Sequence, residues 1–165
     1  MASNHPINFR TGFGVDRHQL VKGRKLILGG IHIESELGAL GHSDADVLFH
    51  AICDAILGAA NLRDIGYHFP DTSSDFKNID SAILLKKSRS LVLEKGYLVG
   101  NIDCTVFLEQ PKLSGYIPEM SVKIAEILEI DHDAVSIKAT RGEGVGPVGR
   151  GEAIQAYCSA LLYKK

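Results

Sequence analysis

The chain has 165 residues, a formal net charge of −2, 45% hydrophobic and 23% charged residues, a size suited to one domain over 1–165 that buries roughly 70% of its unfolded surface. The near-neutral charge argues against the basic stripe of a general nucleic-acid binder. No apolar run reaches the ~20 residues of a membrane span, and Met1 to Pro6 lacks the basic region and apolar core of a secretory signal, so a cytoplasmic location is expected.

The first element is a strand from Ile7 to His18. Its odd positions are Ile7, Phe9, Thr11, Phe13 and Val15 and its even ones Asn8, Arg10, Gly12, Gly14, Asp16 and His18, a period of two that turns Asp16 and His18 to one polar face. A β-segment over 25–33, interrupted by Gly29-Gly30, predicts a hairpin or bulge. A helix is expected over 44–60, capped by Ser43 with Asp46 in capping-box position, on the apolar stripe Val47, Leu48, Ala51, Ile52, Ala55. Residues 61–78 read as a long loop, which in a compact domain is often functional.

A second helix begins near Asp80 and ends at Gly96, a C-terminal glycine. From Leu98 to Leu108 alternation returns as a strand. A third helix over 118–129 carries Pro118 in its first turn, and Val135, Ile137 and Ala139 mark a short strand. Residues 152–163 fit helix or strand equally by periodicity. Strands bracketing helices favour a sheet with helices on one face. Cys53, Cys104 and Cys158 are far apart in apolar contexts and read as buried reduced thiols.

Three side chains carry the chemistry. Asp16 and His18 project together from the strand, and His50 lies on the first helix, with Asp46 and Asp54 one turn to either side as partners for its second ring nitrogen. An Asp-x-His pair alone more often marks solvated strand residues than a metal site. Asp plus two His, however, suits catalytic zinc with an open fourth position. Gly142 to Gly146 is glycine-rich but lacks the ending of a P-loop. His5, His32, His68 and His132 have no partner spacing and read as surface residues.

The ordered set Gly14-Val15-Asp16-Arg17-His18, Leu28-Gly29-Gly30, Gly41-His42-Ser43-Asp44-Ala45-Asp46, Leu57-Gly58-Ala59-Ala60, Asp64-Ile65-Gly66, Phe69-Pro70-Asp71-Thr72, Pro111-Lys112-Leu113, Lys138-Ala139-Thr140 and Gly149-Arg150-Gly151-Glu152 resembles the 2-C-methyl-D-erythritol 2,4-cyclodiphosphate synthase family over nearly the whole chain. The resemblance implies an α+β, ferredoxin-like αβ sandwich whose mixed sheets pack around a threefold axis in a homotrimer, and it tips 152–163 to strand. It also implies cyclisation of 4-diphosphocytidyl-2-C-methyl-D-erythritol 2-phosphate with release of CMP.

On that resemblance Asp16, His18 and His50 hold Zn2+, and Glu143 holds a second ion, Mg2+ or Mn2+, between the diphosphate groups. His42 and Ser43 hold a phosphate where a helix N-terminus favours an anion. Asp64 and Gly66 match ribose contacts, although Asp64 equally suits a turn or cap. Phe69 and Asp71 match the erythritol side. Pro111, Lys112 and Leu113 match the cytidine pocket, which Ala139 and Thr140 complete from another subunit. Arg150 matches the anchor for an isoprenoid diphosphate in an axial channel. Lys138 reads as a solvated or structural lysine.

Leu108-Glu109-Gln110 replaces the commoner Ala-Gln approach to Pro111, and four further positions depart from the family pattern. Arg141 stands for a threonine whose hydroxyl assists the diphosphate, and guanidinium is long, charged and bidentate where a hydroxyl is small and neutral; it is expected to grip a diphosphate oxygen. Gly142 also replaces a threonine, Pro147 a phenylalanine, and Arg17, where an apolar residue is usual, is expected to point away from the metal. All three zinc ligands remain, which favours a working enzyme. The competing readings are a catalytically weak, metal-binding trimer for cytidine nucleotides or isoprenoid phosphates, and a zinc phosphohydrolase.

Overall fold

A computed structural model describes residues 8–70 and 79–165. Five strands form a mixed sheet, β1 (Phe9–Lys22), β4 (Leu37–Leu40), β5 (Tyr97–Phe107), β6 (Val135–Thr140) and β7 (Ala153–Lys164), in the order β4-β1-β7-β5-β6. β5 and β6 run parallel and the other pairs are antiparallel. Strands β2 (Leu26–Leu28) and β3 (Ile31–Ile33) make the separate hairpin predicted around Gly29-Gly30. Both glycines have positive φ, 57° and 74°, the requirement of a tight two-residue turn.

The main helices are α1 (Val47–Ala59), α3 (Ser81–Glu94) and α4 (Ile117–Leu128), with single turns α2 (Ile65–His68) and α5 (Gly146–Gly149) between. The second and third predicted helices thus appear within a residue or two of their expected bounds. The ambiguous last segment is strand β7, at the centre of the sheet. A bulge between Val99 and Asn101 re-phases β5, so that Val99 and then Ile102, Cys104 and Val106 are buried. The three thiols are buried and free.

Strand β1 keeps its period of two and runs on past His18 to Lys22, because Gln19 to Lys22 pair with β4. The covered face is the glycine face. A Cβ on Gly12 would sit 2.0 Å from the Ala55 carbonyl oxygen of α1, and one on Gly14 would sit 2.0 Å from that of Ala51. Two strand residues advance about 6.7 Å and one helical four-residue step about 6 Å, so strand and helix stay nearly in phase. The next even position, Asp16, comes level with the first turn of α1 around Val47, and the His50 side chain, leaning back toward the helix N-terminus, meets it at 2.9 Å. The apolar odd face is open, with Phe9 56%, Phe13 65% and Val15 41% exposed.

Helix α1 starts later than its sequence suggests. Its cap is Asp46, whose carboxylate accepts from the Leu48 and Phe49 N–H groups, and Ser43 lies outside the helix. The same carboxylate accepts from Gly29 and Gly30 N–H at 3.0 and 2.7 Å, which pins the hairpin turn to the helix. Asp46 is therefore spoken for as a cap, and the expected pairing with His50 does not form. Asp54 is likewise occupied, accepting from Ile65 N–H at 2.7 Å.

Candidate metal centre

Asp16, His18 and His50 converge. Asp16 Oδ2 lies 2.9 Å from both His18 Nε2 and His50 Nδ1, and the two nitrogens are 3.3 Å apart. They form the one cluster among the described residues with the donor types and spacing of a metal site. A tetrahedral ion with bonds of about 2.0–2.1 Å needs ligand atoms about 3.3 Å apart, so these three fit zinc with little movement. Burial alone would raise the Asp16 pKa, but hydrogen bonds and charge from both imidazoles outweigh it and hold the carboxylate ionised well below the usual range. Burial likewise opposes a charged His18, yet the Asp16 contact raises its pKa.

The backbone sets how each imidazole points. His18 Nδ1 donates to the Leu40 carbonyl on β4 at 2.9 Å, leaving Nε2 toward the centre. Gly41 is what permits it, since a Cβ there would come 3.1 Å from the His18 ring. His50 presents Nδ1 inward, and its Nε2 meets Ser81 Oγ at 2.9 Å and Ser43 Oγ at 3.2 Å. Sequence reasoning missed Leu40 and Ser81. Ser81 is separated from His50 by 31 positions, and no spacing rule links them.

A cleft of about 430 Å³ opens beside the triad, lined by His18, His42, Ser43, His50, Gly66 and Phe69 among others. The structure thus gathers six of the expected site residues at the metal side. His42 is exposed and Ser43 buried, and both precede the helix by several residues. The α1 N-terminus holds Asp46 instead, so it offers no N–H groups to a phosphate at that point. Asp64 caps α2 through Tyr67 N–H at 3.0 Å, the capping alternative. Asp71 lies outside the described residues, as does His5.

A second cleft, about 180 Å³, is lined by Pro111, Lys112, Leu113, Ala139, Thr140 and Arg141, with Glu109 at its edge. Here the structure corrects one expectation: Ala139 and Thr140 complete the wall of Pro111 to Leu113 within one chain, because β6 runs parallel beside β5 and brings both C-terminal ends together. The register Asp16–Ala156–Val106–Ala139 aligns the two clefts at one end of the sheet. Three strand spacings, about 14 Å, separate them.

Arg141 is tied to Glu109. Its Nε donates to the Glu109 carbonyl at 3.2 Å and its guanidinium lies 3.3 Å from Oε1, while Oε2 accepts from Gly142 N–H at 2.9 Å. Glu143 is exposed with a positive φ of 51° and does not join the triad. Arg150 is exposed and bidentate on Glu152, both contacts 2.9 Å. Lys138 pairs with Asp103 at 2.6 Å on the surface, the structural role expected, and Arg17 is exposed on the side of β1 away from the triad. His68 meets the Leu62 carbonyl at 2.7 Å and so is a packing residue. No helix among the described residues is long and apolar enough to cross a membrane.

Comparison with known proteins places these features together. Residues 9–163 match the YgbB family. A 2-C-methyl-D-erythritol 2,4-cyclodiphosphate synthase of Phocaeicola vulgatus is 60% identical over 158 residues, 96% of this chain and 99% of the relative. The bifunctional IspDF of Campylobacter jejuni superposes with a TM-score of 0.92 at 41% identity, covering 95% of this chain, which spans 42% of that protein's length. A CDP complex of Plasmodium falciparum IspF superposes with a TM-score of 0.83 at 35% identity over 96% of this chain and 99% of its own.

Proposed function

The chain belongs to the YgbB family, and on that premise we propose that it converts 4-diphosphocytidyl-2-C-methyl-D-erythritol 2-phosphate to 2-C-methyl-D-erythritol 2,4-cyclodiphosphate and CMP in non-mevalonate isoprenoid synthesis. The observation that carries the reading is the convergence of Asp16, His18 and His50 beside a cleft in a chain 60% identical to such a synthase. An oxygen of the 2-phosphate attacks the β-phosphorus, the bond from that phosphorus to the α-phosphate oxygen breaks, and CMP leaves with the electron pair. The protein supplies no nucleophile, so its work is to place two anionic groups in line and neutralise their charge.

Asp16, His18 and His50 would hold zinc, which when bound would supply Lewis acidity to a phosphate in the cleft. His42 and Ser43 hold the phosphate beside it, and Gly66, Phe69 and Asp71 flank the erythritol with Asp64 near the ribose. Pro111, Lys112, Leu113, Ala139 and Thr140 hold the cytosine, in keeping with the CDP bound by the Plasmodium relative. Glu143 is assigned to the second ion, Mg2+ or Mn2+. The chain acts as one 1–165 domain in the cytoplasm, with a ferredoxin-like sandwich.

The open apolar face of β1, with Phe13 stacked near Tyr157 at 6.1 Å, supports a homotrimer built sheet to sheet. In that assembly the cytidine cleft of one subunit faces the zinc of its neighbour, and Arg150 anchors an isoprenoid diphosphate on the axis. Incubation with the diphosphocytidyl substrate tests the reading by product analysis. CMP with the cyclic diphosphate is expected; no product would leave a binding trimer, and an uncyclised phosphate would mark a hydrolase.

A further inference from the structure

Behind His50 lies a polar chain whose inner members, Ser81 and Asp44, no part of the reaction as written uses. Ser81 is fully buried at the first residue of α3. Its Oγ stands 2.9 Å from His50 Nε2, and on the other side 2.5 Å from Asp44 Oδ1, the contact in which it donates. Asp44 Oδ2 accepts the Ser81 backbone N–H at 3.1 Å, and Asp44 N–H donates to the Ile79 carbonyl at 3.1 Å. Ser43 Oγ, also buried, lies 3.3 Å from Ser81 Oγ and 3.2 Å from His50 Nε2.

Donor counting gives this chain a direction. An ionised carboxylate has no proton to give, so Ser81 must spend its single O–H on Asp44. Its oxygen then has only lone pairs left to offer. With Nδ1 of His50 turned to the centre as a ligand, the ring proton sits on Nε2 and Ser81 Oγ accepts it. The protons of Ser81 and His50 each have a place, and the result is a carboxylate, a hydroxyl and an imidazole in line behind the metal position. A carboxylate acting on a ligating histidine fixes its tautomer and ring orientation and raises its basicity. Here the hydroxyl extends that reach.

We propose that Asp44 and Ser81 are positioning residues that hold His50 with Nδ1 as the metal-binding nitrogen, and that the start of α3 is thereby built into the metal site. The assignment rests on the reading of Asp16, His18 and His50 as a zinc site. It gives Asp44 a function other than the phosphate-side and capping roles of its neighbours, and it explains why a serine is fully buried at a helix start between a carboxylate and an imidazole. Ser43, at the longer distance, is a secondary acceptor for the same proton.

The test is zinc affinity, measured by chelator competition on metal-free protein, with the absorption spectrum of bound Co2+ as a second readout. Wild type is compared with Ser81→Ala, Asp44→Asn and His50→Ala. Ser81→Ala is expected to weaken zinc by about 10- to 100-fold and to alter the Co2+ spectrum, while the melting curve of the metal-free protein stays cooperative. Asp44→Asn, which keeps the shape and removes the charge, is expected to weaken zinc in the same direction. Wild-type affinity in Ser81→Ala and Asp44→Asn, alongside loss of zinc in His50→Ala, overturns the relay and leaves the metal site standing. Wild-type protein that binds no zinc overturns both. If Ser81→Ala does not fold, Asp44→Asn decides alone, and unchanged affinity there refutes the proposal.

Discussion

Glu109 and Arg141 make one compensated unit at the rim of the cleft lined by Pro111 to Leu113: the carboxylate of Glu109 faces the Arg141 guanidinium with one oxygen at 3.3 Å and receives Gly142 N–H with the other at 2.9 Å. Both residues stand where the family pattern has others, and each answers the other's charge. The guanidinium is 42% exposed, so the pair itself adds little stability; released toward a phosphate, it would act as a binding group. Binding of this kind strengthens the ground state and does not by itself accelerate chemistry. Arg141→Thr is therefore expected to raise the Michaelis constant about fivefold, ~1 kcal/mol, with turnover maintained or increased. Steady-state kinetics decide it; a large fall in turnover at unchanged Michaelis constant would assign Arg141 to the transition state.

His50→Ala removes one side chain of the Asp16, His18 and His50 triad but leaves the α1 cap, Asp46, and the apolar face of α1 untouched. Zinc binding is expected to be lost, with helical circular dichroism retained. Retention of stoichiometric zinc in this variant would place the metal elsewhere.

Gly14→Ala reads out the close approach of β1 to α1. The added methyl would sit 2.0 Å from the Ala51 carbonyl oxygen, so strand and helix must part, at a cost of about 1–3 kcal/mol. Because Asp16 and His18 ride on the strand and His50 on the helix, zinc affinity should fall with stability. Urea unfolding and zinc titration measure both, and a variant with wild-type values would contradict the packing.

Asp46 gives a pH dependence. Burial, opposed by the N–H groups it accepts, pushes its carboxyl from 3.8 up to about 6. A folded pKa above the unfolded one means that the folded state favours the protonated form. The stability this group contributes is present below about pH 4 and is lost as pH rises through 6, about 3 kcal/mol in all. Unfolding free energies at pH 4, 5, 6 and 7 should show that slope in wild type and not in Asp46→Asn. Asparagine retains an oxygen for three of the four N–H donors, so the variant is expected to fold. Identical slopes would reject the assignment.

Phe13→Asp places a charge on a side chain 65% exposed in the single chain. In a sheet-to-sheet trimer that position is covered, so the variant is expected to run as a monomer in light scattering and to lose turnover. A monomer that still turns over would sink the shared-site model.

Much of the site was legible because its signals are local. Asp16 and His18 share a strand face by alternation alone, and α3, α4 and β5 carry a cap, a helix-ending glycine or, from Ile102 on, a clean period. The strand identity of β7 was not local: a central strand buried on its helix face and half-covered on the other loses the alternation that distinguishes it. β4 was missed because four residues, Leu37–Leu40, carry too short a pattern. The start of α1 was misplaced because Ser43 and Asp46 both satisfy the capping rule. Only the hairpin N–H groups of Gly29 and Gly30, contributed from elsewhere in the chain, single out Asp46.

The sequence by itself determined which residue types the metal site would use, the sheet-and-helix class and, through Gly12 and Gly14, a strand able to lie against a helix. Tertiary structure decided what each of those residues faces. His50 meets Ser81 and not Asp46 or Asp54, Arg141 meets Glu109, and Ala139 and Thr140 join Pro111 to Leu113 within one chain. The physical reason is range. Alternation, caps and glycine conformations act over a few residues, whereas hydrogen bonds and clefts form between segments dozens of positions apart, which only the folded sheet order brings into contact.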